Sequence, residues 1–385
     1  MLAALSLVRP SAAGCRAVLG VCRAPRRGLQ RELQLPSKAE VAGLVAGTTA
    51  PRGRRLFISC PALAGTLAEC LMGGAAGQPK HGPVLLEFEP GPGILTRTLL
   101  NAGTRVIALE SDMTFLPRLQ SLENNLDGQL EVVYCSFFKL DPGHCGQFIP
   151  PAMDSVELFK KLGISAVPWT AGVPVKIFGI ISRRNERNLL WKLIYGLYEG
   201  VSIYHCGRVE LNMLMSEREY KVLTAKPGEQ MKYQALSVLW QTACEIQLLH
   251  MEPQSSFLTN SKTQRLPRPG SQVTNDNLCL VRMTPRRNLF TGAMTDTTSG
   301  TFIMMVKHCL IKQKSKVIDI INTWNLGNGY KVLEQLEIPE NSSTGDLYPE
   351  EYRGIFEVLE RSPEFDRSWL YNDTFKMTVN RSLIF

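Results

Sequence analysis

The sequence lacks the features that mark membrane, disulfide-bonded or zinc-ribbon proteins. Its 385 residues contain no apolar run near the roughly 18–20 residues that a membrane span needs, which argues against a transmembrane protein. The ten cysteines are scattered and include no Cys-x-x-Cys pair, which disfavours a zinc ribbon and favours a reducing compartment. The five histidines are far apart, so no metal site is predicted.

Acidic residues are absent from the first 31 positions, which hold six arginines. The arginines are separated by Ala, Leu, Val, Ser and Gly, so a helix there would have one basic and one apolar face. An arginine-rich, acid-free and amphipathic segment is typical of a mitochondrial transit peptide. We predict a transit peptide over residues 1–31, with a disordered basic tail as the alternative.

The formal net charge of +8, from 43 basic and 35 acidic residues, comes mostly from that leader. Without its six arginines the balance is 37 − 35, or +2. The remaining charge is segregated, with ten basic and two acidic residues over 259–316, then eleven acidic and three basic residues over 334–373. Blocks of one sign favour interaction surfaces. The acidic block either binds a basic partner, modulates DNA contact or serves solubility.

Apolar periodicity predicts an α/β fold after a poorly ordered lead-in over residues 32–55. Strand, glycine turn, helix, strand, helix and strand succeed one another from residue 83, which is the first half of a doubly wound parallel sheet. The predicted strands are 83–88, 105–109, 130–135, 173–181, 245–250 and 277–283. The predicted helices are 62–71, 94–102, 114–126, 188–198, 237–244, 302–310, 315–321, 331–336 and 352–361. We place one domain at 56–288 and a small helical domain at 289–385.

The turn at residues 89–93 predicts a nucleotide site. Gly91 and Gly93 let the backbone approach a ligand that faces the next helix N-terminus. Glu110 ends the second strand, where a carboxylate accepts from both ribose hydroxyls, and Ser136 follows the third strand beside the adenine position. The lack of a spaced Gly-x-Gly-x-x-Gly disfavours a dinucleotide enzyme and favours a methyltransferase-type fold that binds S-adenosylmethionine. A plain sheet turn with a solvated glutamate is the alternative.

Two stretches resemble the rRNA adenine N6-dimethyltransferases. They are residues 86–96, Leu-Glu-Phe-Glu-Pro-Gly-Pro-Gly-Ile-Leu-Thr, and residues 106–112, Val-Ile-Ala-Leu-Glu-Ser-Asp. The resemblance continues through residues 236–241 and 278–283, and covers roughly residues 56–290. It implies a Rossmann-like, S-adenosylmethionine-dependent methyltransferase fold with a small helical C-terminal domain.

The resemblance also implies which residues hold S-adenosylmethionine. The family's Gln-Asn-Phe-Leu element is matched only as Arg55-Leu56-Phe57-Ile58, with Ile58 at the methionine end of the cofactor, and Glu110 matches the ribose-binding acid. Two positions depart from the pattern. Ser136 stands where the family has an Asp that accepts from the adenine amine, and Glu89 replaces the first glycine of the turn. We therefore expect cofactor binding to be weak.

The largest departure from the family lies after the fourth strand. The family has Asn-Leu-Pro-Tyr there, whose Asn and a backbone carbonyl orient the target amine while the aromatic ring stacks on the flipped adenine. The corresponding residues here are Ile180, Ile181, Ser182 and Arg183. No catalytic residue is intact in this loop, so we expect methyl transfer to be weak or absent.

The resemblance is strongest to a mitochondrial branch of the family that acts in transcription initiation. It implies mitochondrial RNA polymerase, promoter DNA including its melted strand, and mitochondrial transcription factor A as partners, in the nucleoid of the matrix and without membrane association. The predicted nucleic-acid contacts are basic or polar side chains: Lys307, His308, Lys312, Gln313, Lys314, Arg183 and Arg184. Solvated surface faces are the alternative for these side chains. A working dimethyltransferase of mitochondrial small-subunit rRNA is the second hypothesis.

Overall fold

The computed structural model describes residues 32–48, 55–73, 83–142, 149–260, 276–324, 329–362 and 365. The transit peptide predicted over 1–31 lies outside the described residues, and so do Lys262, Arg265 and Arg268 of the basic block. The helices and strands below all belong to one packed unit, Leu33–Phe385.

A seven-stranded mixed sheet forms the centre of this unit, beside a separate two-stranded sheet. In chain order the strands are β1 Leu56–Phe57, β2 Val84–Phe88, β3 Val106–Glu110, β4 Leu130–Tyr134, β5 Val175–Ile180, β6 Glu210–Ser216, β7 Cys244–Pro253, β8 Leu258–Thr259 and β9 Asn277–Pro285. The large sheet has the order β4-β3-β2-β5-β6-β9-β7, and β1 pairs with β8. Strands β4, β3, β2, β5 and β6 are parallel to one another, whereas β9 pairs antiparallel with both β6 and β7.

The predicted α/β fold is confirmed. Each of the six predicted strands matches an observed strand, and β2, β3 and β4 follow one another outward from the centre of the sheet. The strand order reverses between β2 and β5. Sheets of this kind bind ligands outside the carboxyl ends of their strands, next to such a reversal.

Strand β6 is absent from the sequence prediction, although it lies buried between β5 and β9. Its polar residues are the reason, because Glu210 and Asn212 interrupt the apolar run. In the fold, Glu210 lies 3.7 Å from Lys176 Nζ of β5 and 3.5 Å from Arg282 Nε of β9. Asn212 donates to Glu210 at 3.1 Å and accepts from Arg282 at 3.2 Å. This network across three strands compensates the buried charges.

The described residues contain twelve α-helices. They are α1 Lys38–Ala46, α2 Pro61–Met72, α3 Ile94–Asn101, α4 Leu116–Glu123, α5 Ser155–Lys161, α6 Glu186–Glu199, α7 Glu217–Leu223, α8 Ala235–Ala243, α9 Ser299–Cys309, α10 Val317–Thr323, α11 Gly329–Gln335 and α12 Pro349–Glu360. The nine predicted helices are among them, whereas α1, α5 and α7 are additions. The longest, α6, has 14 residues, and in the described ranges no helix is long and apolar enough to cross a membrane.

Helix α1 differs from the poorly ordered lead-in predicted over residues 32–55. Ser37 caps the helix: its hydroxyl accepts from the Glu40 N–H, and the Glu40 carboxylate accepts from the Ser37 N–H at 2.7 Å. Val41 and Val45 are buried against the core. The capping box and two buried valines order a segment whose Gly, Ala and Arg content suggests a loop.

One apolar core joins the sheet to the C-terminal helices. The Phe302 ring of α9 lies 5.7 Å from the ring of Tyr198 in α6 and 5.4 Å from that of Phe356 in α12, measured between centroids. All three side chains are fully buried. The helices after residue 288 therefore pack directly on the α/β layer, and the domain boundary at 288/289 stays a prediction.

Gly179 in β5 is a position where the fold has no room for a side chain. A Cβ there would lie 2.3 Å from Cζ of Phe88, whose ring also stacks on Phe137 with centroids 4.4 Å apart. Because the Phe88 ring is held on both sides, we expect Gly179→Ala to lower the free energy of unfolding by about 1–3 kcal/mol in urea titration. The control is Gly172→Ala, where a Cβ meets nothing within 4 Å. Equal stability of the two variants would contradict this packing.

Candidate functional site

The turn between β2 and α3 brings the predicted nucleotide-binding residues to the carboxyl edge of the sheet. Gly91 and Gly93 have φ of +61° and +74°, and Gly93 precedes the first residue of α3. A Cβ on Gly91 would lie 2.6 Å from the Phe57 ring. The left-handed backbone and this close approach explain why glycine is required at position 91.

Glu110 ends β3 beside this turn and is fully buried. Its carboxylate accepts the Arg55 guanidinium in two parallel hydrogen bonds, 2.9 Å to Oε1 and 2.7 Å to Oε2. Oε2 also accepts from the Gly91 N–H and Oε1 from the Asp112 N–H, each at 2.8 Å. Four donors from the chain itself therefore surround the predicted ribose-binding carboxylate.

Arg55 is the cation that the carboxylates of this site surround. Besides Glu110, its guanidinium lies 3.1 Å from Glu89 and 4.0 Å from Asp112. Its Cζ lies 4.9 Å from the centroid of the Phe57 ring and 5.4 Å from that of Phe115. Burial disfavours the charged guanidinium, but the neighbouring carboxylates outweigh burial and hold the pKa of Arg55 above its ordinary value.

Glu89 adopts an unusual backbone conformation at the start of the turn. Its φ is +54°, which lies in the left-handed region that residues other than glycine rarely adopt. The carboxylate accepts from the Ser111 hydroxyl at 2.6 Å and pairs with Arg55. Burial raises the pKa of Glu89 to about 7, with Arg55 opposing the shift and Glu110 adding to it. Glu89 thus contributes a second carboxylate to the one guanidinium.

The other predicted cofactor residues lie on neighbouring elements of the same edge. Glu110 pairs with Tyr134 in the sheet, so Ser136 begins the loop two residues beyond it. The Ser136 N–H donates to the Pro151 carbonyl at 2.8 Å, and its side chain is buried. Ile58 is buried next to Phe57, which packs on Gly91.

The structure adds one site residue to those predicted. Arg55 enters the sequence analysis only as part of the four-residue element 55–58, with no role of its own. The signal that would have found it is a basic residue where the family has Gln, in a chain with acids after both β2 and β3. Sequence alone does not show that these side chains meet. Glu89 lies 89 − 55 = 34 residues after Arg55, and Glu110 lies 110 − 55 = 55 residues after it.

The loop after β5 presents aliphatic and basic side chains where the resemblance expects an amide and an aromatic ring. Ile180 is the last residue of β5, and Ile181 is buried with its N–H donating to the Leu214 carbonyl at 2.9 Å. The Ser182 carbonyl accepts from the Asn185 N–H at 2.8 Å, which closes a turn. Neither an Asn nor an aromatic residue occurs between 180 and 184.

Arg183 and Arg184 are exposed on this turn, and Arg183 and Arg187 line a cleft of ≈ 450 Å³. Arg183 pairs with Asp276 at 2.8 Å, and Arg187 pairs with Glu219 at 3.6 Å. A nucleic acid that used Arg183 or Arg187 would therefore have to compete with a carboxylate for it. The assignment of Arg183 and Arg184 to nucleic-acid binding stays a prediction.

Residues 312–316 form a basic turn between α9 and α10, hereafter the lysine turn. Lys312, Lys314 and Lys316 are exposed, and in the described part of the chain none of the three forms an ion pair. The turn is hydrogen-bonded to Thr344 and Gly345, whose N–H groups donate to Ser315 O at 2.9 Å and Gln313 O at 2.8 Å. Its lysines are thus presented on a fixed backbone.

The other three C-terminal residues predicted to contact nucleic acid make internal contacts. Lys307 Nζ lies 3.2 Å from the Tyr195 hydroxyl and 5.6 Å from the Trp191 ring centroid. His308 Nδ1 accepts from the Trp324 indole at 3.0 Å, and burial lowers the pKa of His308. The Gln313 amide donates to the Tyr233 carbonyl. Of the predicted C-terminal contacts, Lys312 and Lys314 are thus the two that are exposed and form no ion pair among the described residues.

S-adenosylmethionine, which the resemblance implies, fits this edge only in part. The glycine turn and the strand-end Glu110 have the positions that the ribose needs. However, Arg55 takes both oxygens of the Glu110 carboxylate, and the ring of Phe57 lies against Gly91. The residues present therefore match the outline of a cofactor site whose strand-end carboxylate is already bonded to Arg55.

Comparison with known proteins places these features in context. The ribosomal RNA adenine dimethylase family model matches residues 76–361. Dimethyladenosine transferase 2, mitochondrial, of Homo sapiens is 44% identical over 324 residues, which cover 83% of this chain and 81% of that protein. The Rattus norvegicus protein of the same name is 44% identical over 298 residues, covering 76% of this chain and 75% of its own length. Ribosomal RNA small subunit methyltransferase A of Caulobacter vibrioides is 26% identical over 180 residues, which cover 47% of this chain and 57% of that protein.

Glu87 below the turn makes folding stability depend on pH. It is buried in β2 and accepts from the Thr96 hydroxyl at 2.7 Å, and burial, only partly opposed by that bond, raises the pKa of Glu87 from 4.5 to about 7. The folded protein thus retains a proton that the unfolded chain releases, so the free energy of unfolding falls as pH rises from about 4.5 to 7. We expect Glu87→Gln to remove the part of this dependence that Glu87 contributes, while Glu89, whose pKa is also raised to about 7, keeps its own part. Between pH 5 and pH 8 the free energy of unfolding of the wild-type protein should fall by up to about 3 kcal/mol relative to that of the variant.

Urea titration at several pH values measures this difference. Glu245→Gln, at an exposed carboxyl on the edge strand β7, is the matched control and should follow the wild-type profile. Parallel stability profiles for wild type and Glu87→Gln would show that Glu87 does not hold the proton.

Proposed function

We propose that this protein, which belongs to the ribosomal RNA adenine dimethylase family, acts in mitochondrial transcription initiation and does not transfer methyl groups efficiently. In this proposal the protein is a second paralogue of mitochondrial transcription factor B. It assists the mitochondrial RNA polymerase in melting the promoter and holds the melted strand, together with mitochondrial transcription factor A. S-adenosylmethionine is the cofactor that membership of this family implies, and we propose that this chain binds it weakly.

A mitochondrial location is supported by two independent observations. The relatives from Homo sapiens and Rattus norvegicus are named mitochondrial. The first 31 residues of this chain have the arginine-rich, acid-free composition of a transit peptide. We propose the matrix, and within it the nucleoid, because promoter DNA is the proposed partner.

The observation that carries the proposal is the loop after β5. Methyl transfer to an adenine amine needs an amide or carbonyl acceptor that orients the amine and an aromatic ring that holds the flipped base. Ile180, Ile181 and Ser182 supply neither side chain, and the Ile181 side chain is buried in the core. A misplaced reacting group costs on the order of 10²-fold in rate. A protein that has lost this loop retains a nucleic-acid-binding scaffold without its chemistry.

The lysine turn supports the nucleic-acid part of the proposal. Lys312, Lys314 and Lys316 are exposed within five residues, on a backbone hydrogen-bonded to the segment 342–345. Lysines so placed contact phosphates without reading sequence, as a factor that works on melted DNA requires.

A working dimethyltransferase of mitochondrial small-subunit rRNA is the second candidate. It is favoured by the glycine turn and by Glu110, which keep the positions that a ribose-binding acid needs. The match of the family model across residues 76–361 agrees with either candidate. Methyl transfer itself distinguishes the two.

The first prediction concerns initiation. With purified mitochondrial RNA polymerase and transcription factor A, we expect transcription from a promoter to require this protein. Lys312→Ala/Lys314→Ala should lower both initiation and DNA affinity, and should reduce the slope of log affinity against log salt by about 2, because two phosphate contacts are lost. Lys160→Ala/Lys161→Ala removes two exposed lysines from the end of α5 and is the matched control. Unchanged DNA affinity in the first variant would reject the lysine turn as the contact.

The second prediction concerns catalysis. On an adenine-containing rRNA hairpin with labelled S-adenosylmethionine, we expect methyl incorporation at least about 10²-fold slower than that of a family enzyme with an intact Asn-Leu-Pro-Tyr loop. The cause is the lost positioning of the target amine. Rapid turnover by the wild-type protein would instead support the second candidate.

A further inference from the structure

The ribose of an adenosine ligand needs free acceptors on the strand-end carboxylate. Two neighbouring hydroxyls donate one hydrogen bond each, and a carboxylate offers about four lone-pair positions in total. At Glu110 all four are taken: Oε1 accepts from Arg55 and the Asp112 N–H, and Oε2 accepts from Arg55 and the Gly91 N–H. No position is left for a hydroxyl while the guanidinium is in place.

The guanidinium is a stronger partner for Glu110 than a ribose is. The two parallel bonds of 2.9 and 2.7 Å join opposite charges in a buried place, and charge-assisted bonds of this kind are roughly twice as strong as bonds between neutral groups. A ribose brings only neutral hydroxyls. Displacing Arg55 would also leave its charge to find new partners.

Arg55 is held at this position from several sides. Its backbone N–H donates to the Asn260 side chain at 3.1 Å, next to the β1–β8 pair. Its guanidinium lies over the rings of Phe57 and Phe115, and it pairs with Glu89 at 3.1 Å. The side chain is 18% exposed. These contacts make Arg55 a packed component of the site rather than a surface side chain that happens to reach it.

From this geometry we propose that Arg55 is an internal occupant of the ribose position, so that adenosine-containing ligands such as S-adenosylmethionine bind only when its guanidinium leaves Glu110. The site is then closed in the free protein by a single residue. The proposal is separate from the role in transcription, because it concerns only what the cofactor site admits.

Arg55→Gln is the variant that tests the proposal, because Gln is the residue that the resemblance places at this position. It lacks the charge and the second forked donor, so Glu110 regains acceptors for a ribose. By calorimetric titration with S-adenosylhomocysteine, a stable analogue of the cofactor, we expect Arg55→Gln to bind at least about tenfold more tightly than wild type, which corresponds to about 1.4 kcal/mol. Arg105→Gln, which removes a half-exposed arginine from its pair with Glu131, is the control and should bind like wild type.

A second substitution shows whether the tighter binding of S-adenosylhomocysteine depends on Glu110. Arg55→Gln/Glu110→Gln should lose the tighter binding, because the ribose then has no carboxylate. Should Arg55→Gln prove unfolded by circular dichroism, Arg55→Gln/Glu89→Gly removes one positive and one negative charge together and also restores the glycine of the family turn. The same gain in affinity is expected of it.

Two results would overturn the proposal. One is a folded Arg55→Gln or Arg55→Gln/Glu89→Gly whose affinity for S-adenosylhomocysteine lies within twofold of wild type. The other is a ligand complex of the wild-type protein in which Arg55 still bonds Glu110. Either result would leave the transcription assays above unaffected, so failure here is distinguishable from failure of the proposed function.

Discussion

A buried carboxylate must be surrounded by donors, and the arrangement around Glu110 depends on meeting that requirement. The donors come from three separate parts of the chain: the guanidinium before β1, the N–H of the glycine turn after β2, and the N–H that follows β3. Each donor fixes the segment that carries it. The edge of the sheet is thereby assembled as one unit, and the same bonds that stabilise it determine which ligand groups find a free acceptor.

The parts of the fold that could be predicted from the sequence are those where local pattern and tertiary environment agree. Strands such as β2 and β3 are apolar except for Glu87 and the strand-end Glu110, because both faces of a parallel sheet are covered. Strand β6 was missed for the opposite reason, since Glu210 and Asn212 are buried only because Lys176 and Arg282 lie on the neighbouring strands. Helix α1 depends on a capping box that is easily overlooked in a Gly- and Ala-rich segment.

The site shows the same division. The placement of Glu110, Gly91 and Gly93 at one edge of the sheet was predictable because a strand end and a glycine turn have fixed positions in a doubly wound sheet. The role of Arg55 was not predictable, because β1 belongs to a separate small sheet and no local pattern indicates which acids it meets. The internal contacts of Lys307 and His308 likewise depend on aromatic residues elsewhere in the chain, Tyr195 and Trp324.

The lysine turn has a consequence for the cost of binding. Its backbone is joined to the segment 342–345 by three hydrogen bonds, which Ser315 O accepts from Thr344 N, Gln313 O from Gly345 N and Lys312 O from the Thr344 hydroxyl. Association ordinarily forfeits the conformational freedom of any loop that becomes ordered, and here that freedom has been given up during folding. Only the lysine side chains remain to be immobilised at a phosphate. Residues 342–345, which lie within the acidic block 334–373, thus hold the backbone of this basic surface in place.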